Sequence, residues 1–192
     1  MRPIWLLAGL GLVVVVGRRT VGDRRLQNLS AATGVPADVL AAFGVIESNN
    51  VDDAIRFECH RFNRHGWAMP CTTTADRPWS VTASETDAGA FYRAAPLDLD
   101  HAVRSSSWGR YQVMGSTALS HTGWTAAEFL DAFERSPADV SDEIAIGWWA
   151  GNPGARAAAR SRDLLALARA YNGSWSETQA AYYADRLGRA LA

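Results

Sequence analysis

Apolar residues recur at helical spacing through most of this chain. Val39, Leu40, Phe43 and Ile46 make one apolar stripe, and Pro36 stands where a missing N–H costs least, so a helix is expected across Gly34 to Asn50. Upstream, Arg24 to Ala32 places Leu26 and Leu29 on one side and stops at Gly34. Ser84 is suited to cap a helix running to about Ala94, and Asp98 to Arg104 makes a further short one. Ser107 to about Thr122, carrying Trp108, Tyr111, Met114 and Leu119, reads as a helix stopped by Gly123. Thr125 to Glu128 is a capping box that opens a helix with Phe129, Leu130 and Phe133. Ser136-Pro137 starts the next, with Ile144, Ile146, Trp148 and Trp149, and Asn152-Pro153-Gly154 closes it. Ser161 is placed to cap a helix through Leu164, Leu165, Leu167 and Ala168 into Tyr171-Asn172-Gly173. Ser176 to Gln179 is a capping box for the last helix. Only Asn63 to Thr82 is irregular enough for loops or a small β-hairpin; no other part reads as strand. The pattern predicts one mainly α domain over residues 24–192.

The first 19 residues do not fit that pattern. Ile4 to Val16 is uncharged and apolar all round, between Arg2 and Arg18-Arg19. Its length suits a signal-peptide core better than a full span, which needs roughly 20 residues. No A-x-A cleavage site follows, so a cleaved signal and a retained membrane anchor through residues 4–16 both stand. Arg18, Arg19, Arg24 and Arg25 favour a cytoplasmic C-terminal side, against export of the domain, so orientation stays open.

Composition narrows the function classes. The 192 residues suffice for one domain with a proper core, and 48% hydrophobic with 20% charged is ordinary globular usage. A net charge of −1 gives no polyelectrolyte attraction to nucleic acid. Eight tryptophans serve either as core or as platforms for sugar rings. Cys59 and Cys71 are spaced to allow a disulfide in an exported protein, or stand as two small hydrophobes.

Glu47 is the residue whose position demands chemistry. It lies four after Phe43 and seven after Leu40, on the apolar face near a helix C-terminus. Burial and the negative end of the helix dipole would both raise its pKa, as a general acid needs. The alternative is a carboxylate at the rim that only ends the helix. Two later stretches, Ser107 to Gly115 and Ala170 to Gly173, complete a set of three at helix boundaries.

In this order, Ile46-Glu47-Ser48, the Ser107–Gly115 stretch and Ala170-Tyr171-Asn172-Gly173 resemble the lysozyme-like superfamily, including goose-type lysozymes and lytic transglycosylases. Phe57-Glu58-Cys59-His60-Arg61-Phe62, with Ser105-Ser106-Ser107-Trp108-Gly109 and Gln112-Val113-Met114-Gly115, resembles more narrowly the N-acetylmuramidase family of phage endolysins. The resemblance covers roughly Arg24 to the C-terminus. The chain departs from that pattern at Asp52 and Asp53, and at Ser174-Trp175-Ser176 after the third motif.

This resemblance implies a lysozyme-like fold and cleavage of the β-1,4 bond between N-acetylmuramic acid and N-acetylglucosamine in bacterial peptidoglycan. Glu47 would be the general acid and Glu58 the leading second carboxylate, unless Glu58 is a structural ion pair with Arg56, Arg61 or His60. Asp52 and Asp53 are reserves. Ser48, His60, Trp108, Tyr111, Gln112, Met114, Tyr171 and Asn172 are the expected substrate-binding residues, Gln112 as a donor to a sugar. Trp108, Tyr111 and Met114 also fit a core, as aromatic and Met residues at helical spacing usually do. His60 has no second ligand at metal spacing, so neither a metal nor another cofactor is expected. The expected enzyme is a monomer unless built into a virion, exported, tethered to the envelope or virion-associated. Two rivals remain: a lytic transglycosylase yielding anhydromuropeptides, and a non-catalytic peptidoglycan-binding module.

Overall fold

A computed structural model describes residues 24–64, 66, 67, 69, 87–172 and 176–192. The apolar segment at 1–19, Cys71, Ser84, Gly173 and most of the irregular 63–82 stretch lie outside the described residues. Helix α1 (Arg24–Thr33) turns through 106° into α2 (Ala37–Ser48). Gly34 makes that corner at φ +68°, a left-handed conformation that suits a residue without Cβ. Val39, Leu40 and Phe43 on α2 are fully buried, as their spacing requires. Then follow α3 (Cys59–Asn63), α4 (Asp87–Ala94), α5 (Leu99–Arg104), α6 (Gly115–Thr122), α7 (Ala126–Arg135), α8 (Pro137–Gly151), α9 (Pro153–Ser161), α10 (Leu164–Asn172) and α11 (Glu177–Leu191). Helix α11 packs on α2 and α10, so the C-terminal helix closes over the helix that carries Glu47. No single described helix is long and apolar enough to cross a membrane.

The punctuation read from the sequence holds at several ends. Thr125 and Ser176 form capping boxes with Glu128 and Gln179, and the Asp98 side chain accepts the His101 N–H. Gly123 ends α6 in the left-handed conformation. Ser161 differs: it ends α9, a helix not expected, and Asp163 instead accepts the Ala166 N–H in the first turn of α10. The buried stripe of α9 is Ala155, Ala158 and Ala159, too small to stand out as apolar periodicity.

The largest correction concerns residues 107–122. They do not form one helix. Strands β1 (Ile55–Phe57), β2 (Ser106–Trp108) and β3 (Val113–Met114) make an antiparallel sheet in the order β1-β2-β3. Trp108 faces Val113 and Ser107 faces Met114 across the hairpin. Gly109 at φ +70° and Gln112 at φ +47° shape its turn, and strands this short leave no alternation to read. Gly115, which follows β3, sits so tightly that a Cβ would lie 1.9 Å from the Val103 carbonyl oxygen.

Trp108 anchors this hairpin from within. It is fully buried, and its indole N–H donates to the Val103 carbonyl at 3.1 Å. Phe91, Phe129 and Phe133 meet it edge to face at 4.9, 5.0 and 4.9 Å between ring centres. Each such pair contributes about 0.5–1.5 kcal/mol beyond area burial. Asp52 joins the same scaffold: it bridges Arg25 at 2.8 Å and Arg110 at 3.0 Å, and Arg25 also holds Asp142 at 2.6 Å. Burial works against the charge on Asp52, but the two guanidiniums prevail and its pKa is lowered. Asp52 is thereby a structural tie between α1, the loop after α2, the hairpin turn and α8.

Candidate active site

A cavity of about 220 Å³ opens where α2, the sheet, α6, α8 and α10 meet, and Glu47 lines it. The α2 end is fixed by backbone bonds: the Asn49 N–H reaches the Val45 carbonyl, and the Asn50 N–H reaches that of Gly44 at 2.8 Å. Ser48 ties the same end to the hairpin by donating its hydroxyl to the Arg110 carbonyl at 2.9 Å. Arg186 on α11 donates to the Ile46 carbonyl at 2.8 Å. Glu47 therefore projects from a turn held on three sides.

Glu47 is half-buried in the wall of this cavity. That burial raises its pKa, and the hydrogen bond from Tyr183 and the charges of Arg56 and Arg186 oppose it without prevailing. Tyr183 donates its hydroxyl to Glu47 Oε1. Tyr171 stacks on Tyr183 at 5.7 Å and donates to the Tyr111 carbonyl at 2.7 Å. Burial, reinforced by the negative charge of Glu47, raises the pKa of both tyrosines, so they remain donors across neutral pH. Phe43 packs edge-on against Tyr171 at 5.1 Å and Trp149 at 5.5 Å, so the acid rests on an aromatic bed.

Glu58 lines the same cavity, with Arg56, Arg61, Ser107, Gln112, Met114, Trp148 and Tyr171 among its neighbours. It lies between β1 and α3, its N–H donating to the Ser105 carbonyl at 2.8 Å. Arg61 forms an ion pair with its carboxylate. The structure thus brings Glu47, Glu58, Gln112, Met114 and Tyr171 to one cleft. The Gln112 amide nitrogen donates to the Gly109 carbonyl at 2.9 Å, which uses one of its two protons.

Other expected residues sit elsewhere. Trp108 and Tyr111 belong to the core, with 0% and 3% exposure, because the hairpin turns their rings inward. Tyr111 serves the site through its backbone, as acceptor for Tyr171; burial pushes its own hydroxyl pKa up to about 12. Ser48 is occupied with Arg110 and does not line the cleft. His60 is half-buried behind Glu58 in sequence and outside the lining, and its pKa is lowered first by burial. Asn172 closes α10. Cys59 is disulfide-bonded.

Trp148 and Tyr183 were not expected at the site, while Arg56 and Ser107, expected only as an ion-pair partner and as the start of a motif, line the cleft. Trp148 and Trp149 are neighbours on α8 whose rings meet edge to face at 4.8 Å; Trp149 is buried and Trp148 lines the cleft. Tyr183 carries no motif; it reaches Glu47 only because α11 packs on α2. Among the described residues no three His, Cys, Asp or Glu side chains are grouped to hold a metal ion.

Comparison with known proteins places this geometry. Residues 41–192 match the family model for N-acetylmuramidase. Among solved structures, the crystal structure of Burkholderia AP3 phage endolysin superposes with a TM-score of 0.64 at 21% identity, covering 88% of this chain and 69% of that one. It attests the fold alone. No curated protein matches the chain.

Proposed function

The chain belongs to the N-acetylmuramidase family, and from that premise we propose that it cleaves the β-1,4 bond between N-acetylmuramic acid and N-acetylglucosamine with Glu47 as the proton donor. It is a glycosidase of the peptidoglycan-hydrolase class. The observation that carries the finer reading is the raised pKa of a carboxyl on an aromatic bed that still opens on the cleft. A protonated Glu47 would deliver its proton to the glycosidic oxygen as the bond breaks. The carboxylate left behind meets Tyr183, Arg56 and Arg186, the groups that favour its charged form. Those groups ease loss of the proton as the bond breaks.

Glu58 is the proposed second carboxylate, facing the oxocarbenium-like sugar. Arg61 holds it, so the carboxylate is aimed before substrate arrives. Trp148 offers a face for a sugar ring, and Met114 an apolar wall beside it. The work is assigned to the cell envelope, reached by export or from a virion, where an oxidised Cys59 is at home.

Digestion of purified sacculi followed by mass spectrometry tests the proposal. Hydrolysis leaves muropeptides with a reducing muramic acid. Products one water lighter would assign the chain to transglycosylation, and products ending in reducing N-acetylglucosamine would refute the bond.

A further inference from the structure

A second cavity, of about 270 Å³, adjoins the cleft and shares Arg61 with it. Its lining is Arg61, Arg64, His101, Arg104, Ser105 and Ser116, without a carboxylate. The basic residues come in two pairs at i, i+3: Arg61 and Arg64 from the end of α3, His101 and Arg104 from the end of α5. From this we propose that the cavity takes the carboxylates of the acidic peptide carried by muramic acid, making it a stem-peptide subsite continuous with the cleft.

Three observations support that ligand. Arg61 and Arg104 are each held through Nε, by Glu58 and by Asp100 at 2.6 Å. Their terminal nitrogens have no protein partner among the described residues, so two planar forks stand oriented and open. A guanidinium fork matches a carboxylate two bonds at a time. Arg64 is exposed, and its guanidinium makes no hydrogen bond or ion pair among the described residues. Helix α6, whose first turn contributes Ser116 here and Thr117 to the cleft, has no side-chain cap on its N–H groups. A muramic acid bound beside Glu47 carries its peptide on the lactyl group, so an anion site one arginine away lies within the reach of that peptide.

The inference rests on the peptidoglycan reading of the cleft, and its test separates the two. The full chain and an Arg64→Gln/Arg104→Gln double variant are compared on intact sacculi and on the same glycan stripped of peptide by an amidase. The wild type should favour intact material by about tenfold in kcat/KM, and the double variant should lose that preference while cleaving stripped glycan as before. Equal losses on both substrates, or no loss on either, would overturn the subsite and leave the glycosidase standing. Titration calorimetry of a soluble muramyl tetrapeptide reads the subsite without catalysis. The wild type should bind it about tenfold tighter than the same fragment with amidated carboxyls, and the double variant should not discriminate. Equal binding by the wild type would overturn the subsite, as would losses in the double variant confined to anionic phospholipid vesicles.

Discussion

The two carboxylates of the cleft stand in opposite surroundings. Glu47 sits at the end of a buried helix, over Phe43, Tyr171 and Tyr183, and burial dominates its titration. Glu58 sits where a short strand gives way to a short helix, and a largely exposed arginine engages it. One wall is rigid, aromatic and hostile to charge; the other is polar and built from ion pairs. The contrast separates a carboxyl whose charge burial opposes from one held in an ion pair. The difference teaches that the surroundings of a carboxyl are set by packing, not by its neighbours in sequence.

The contrast can be broken most severely at Glu47. Glu47→Gln keeps the shape and removes the ionisable proton, so turnover of sacculi should fall by about 10³-fold or more. Glu58→Gln removes the opposing charge and should lower kcat by about 10²-fold in the same turbidity assay, with little change in thermal midpoint. A loss confined to KM would make Glu58 a binding residue. Tyr183→Phe deletes a donor that favours the charged form of Glu47, so the Glu47 pKa should rise further. The alkaline limb of kcat/KM should then move to higher pH, with kcat falling only by roughly 3–10-fold.

The smallest effect is on stability. The folded state holds the Glu47 proton more tightly than the unfolded chain, because the folded pKa is raised. Wild-type stability from this group is therefore fully present below the unfolded pKa and is lost as pH rises through the folded one. Glu47→Gln has no such loss, so chemical denaturation should find the variant gaining on the wild type from acid to neutral pH. A constant difference between the two would contradict the burial argument.

Much of this site was legible because helical periodicity is a strong signal. Val39, Leu40 and Phe43 fixed the buried face of α2, and Glu47 followed from its place on that face. The hairpin was illegible for a physical reason: its strands are two and three residues long, and Trp108 and Tyr111 sit at spacings a helix would share. Their burial looked like a cleft wall because a motif reports which residues matter, not which way they face. Gly109 and Gly115 were the available clue, one needing positive φ and the other room against Val103. Tyr183 had no clue at all, since its contact with Glu47 spans 136 positions and depends on helix packing.

The most direct test is to follow Glu47 itself. With side-chain carboxyls labelled with ¹³C, the resonance absent from Glu47→Gln identifies it, and its titration can be read in the folded protein. The account predicts a midpoint above that of an ordinary glutamate, coinciding with the alkaline limb of kcat/KM in the free enzyme. A midpoint at or below the ordinary glutamate value, with activity persisting after Glu47 has ionised, would contradict it.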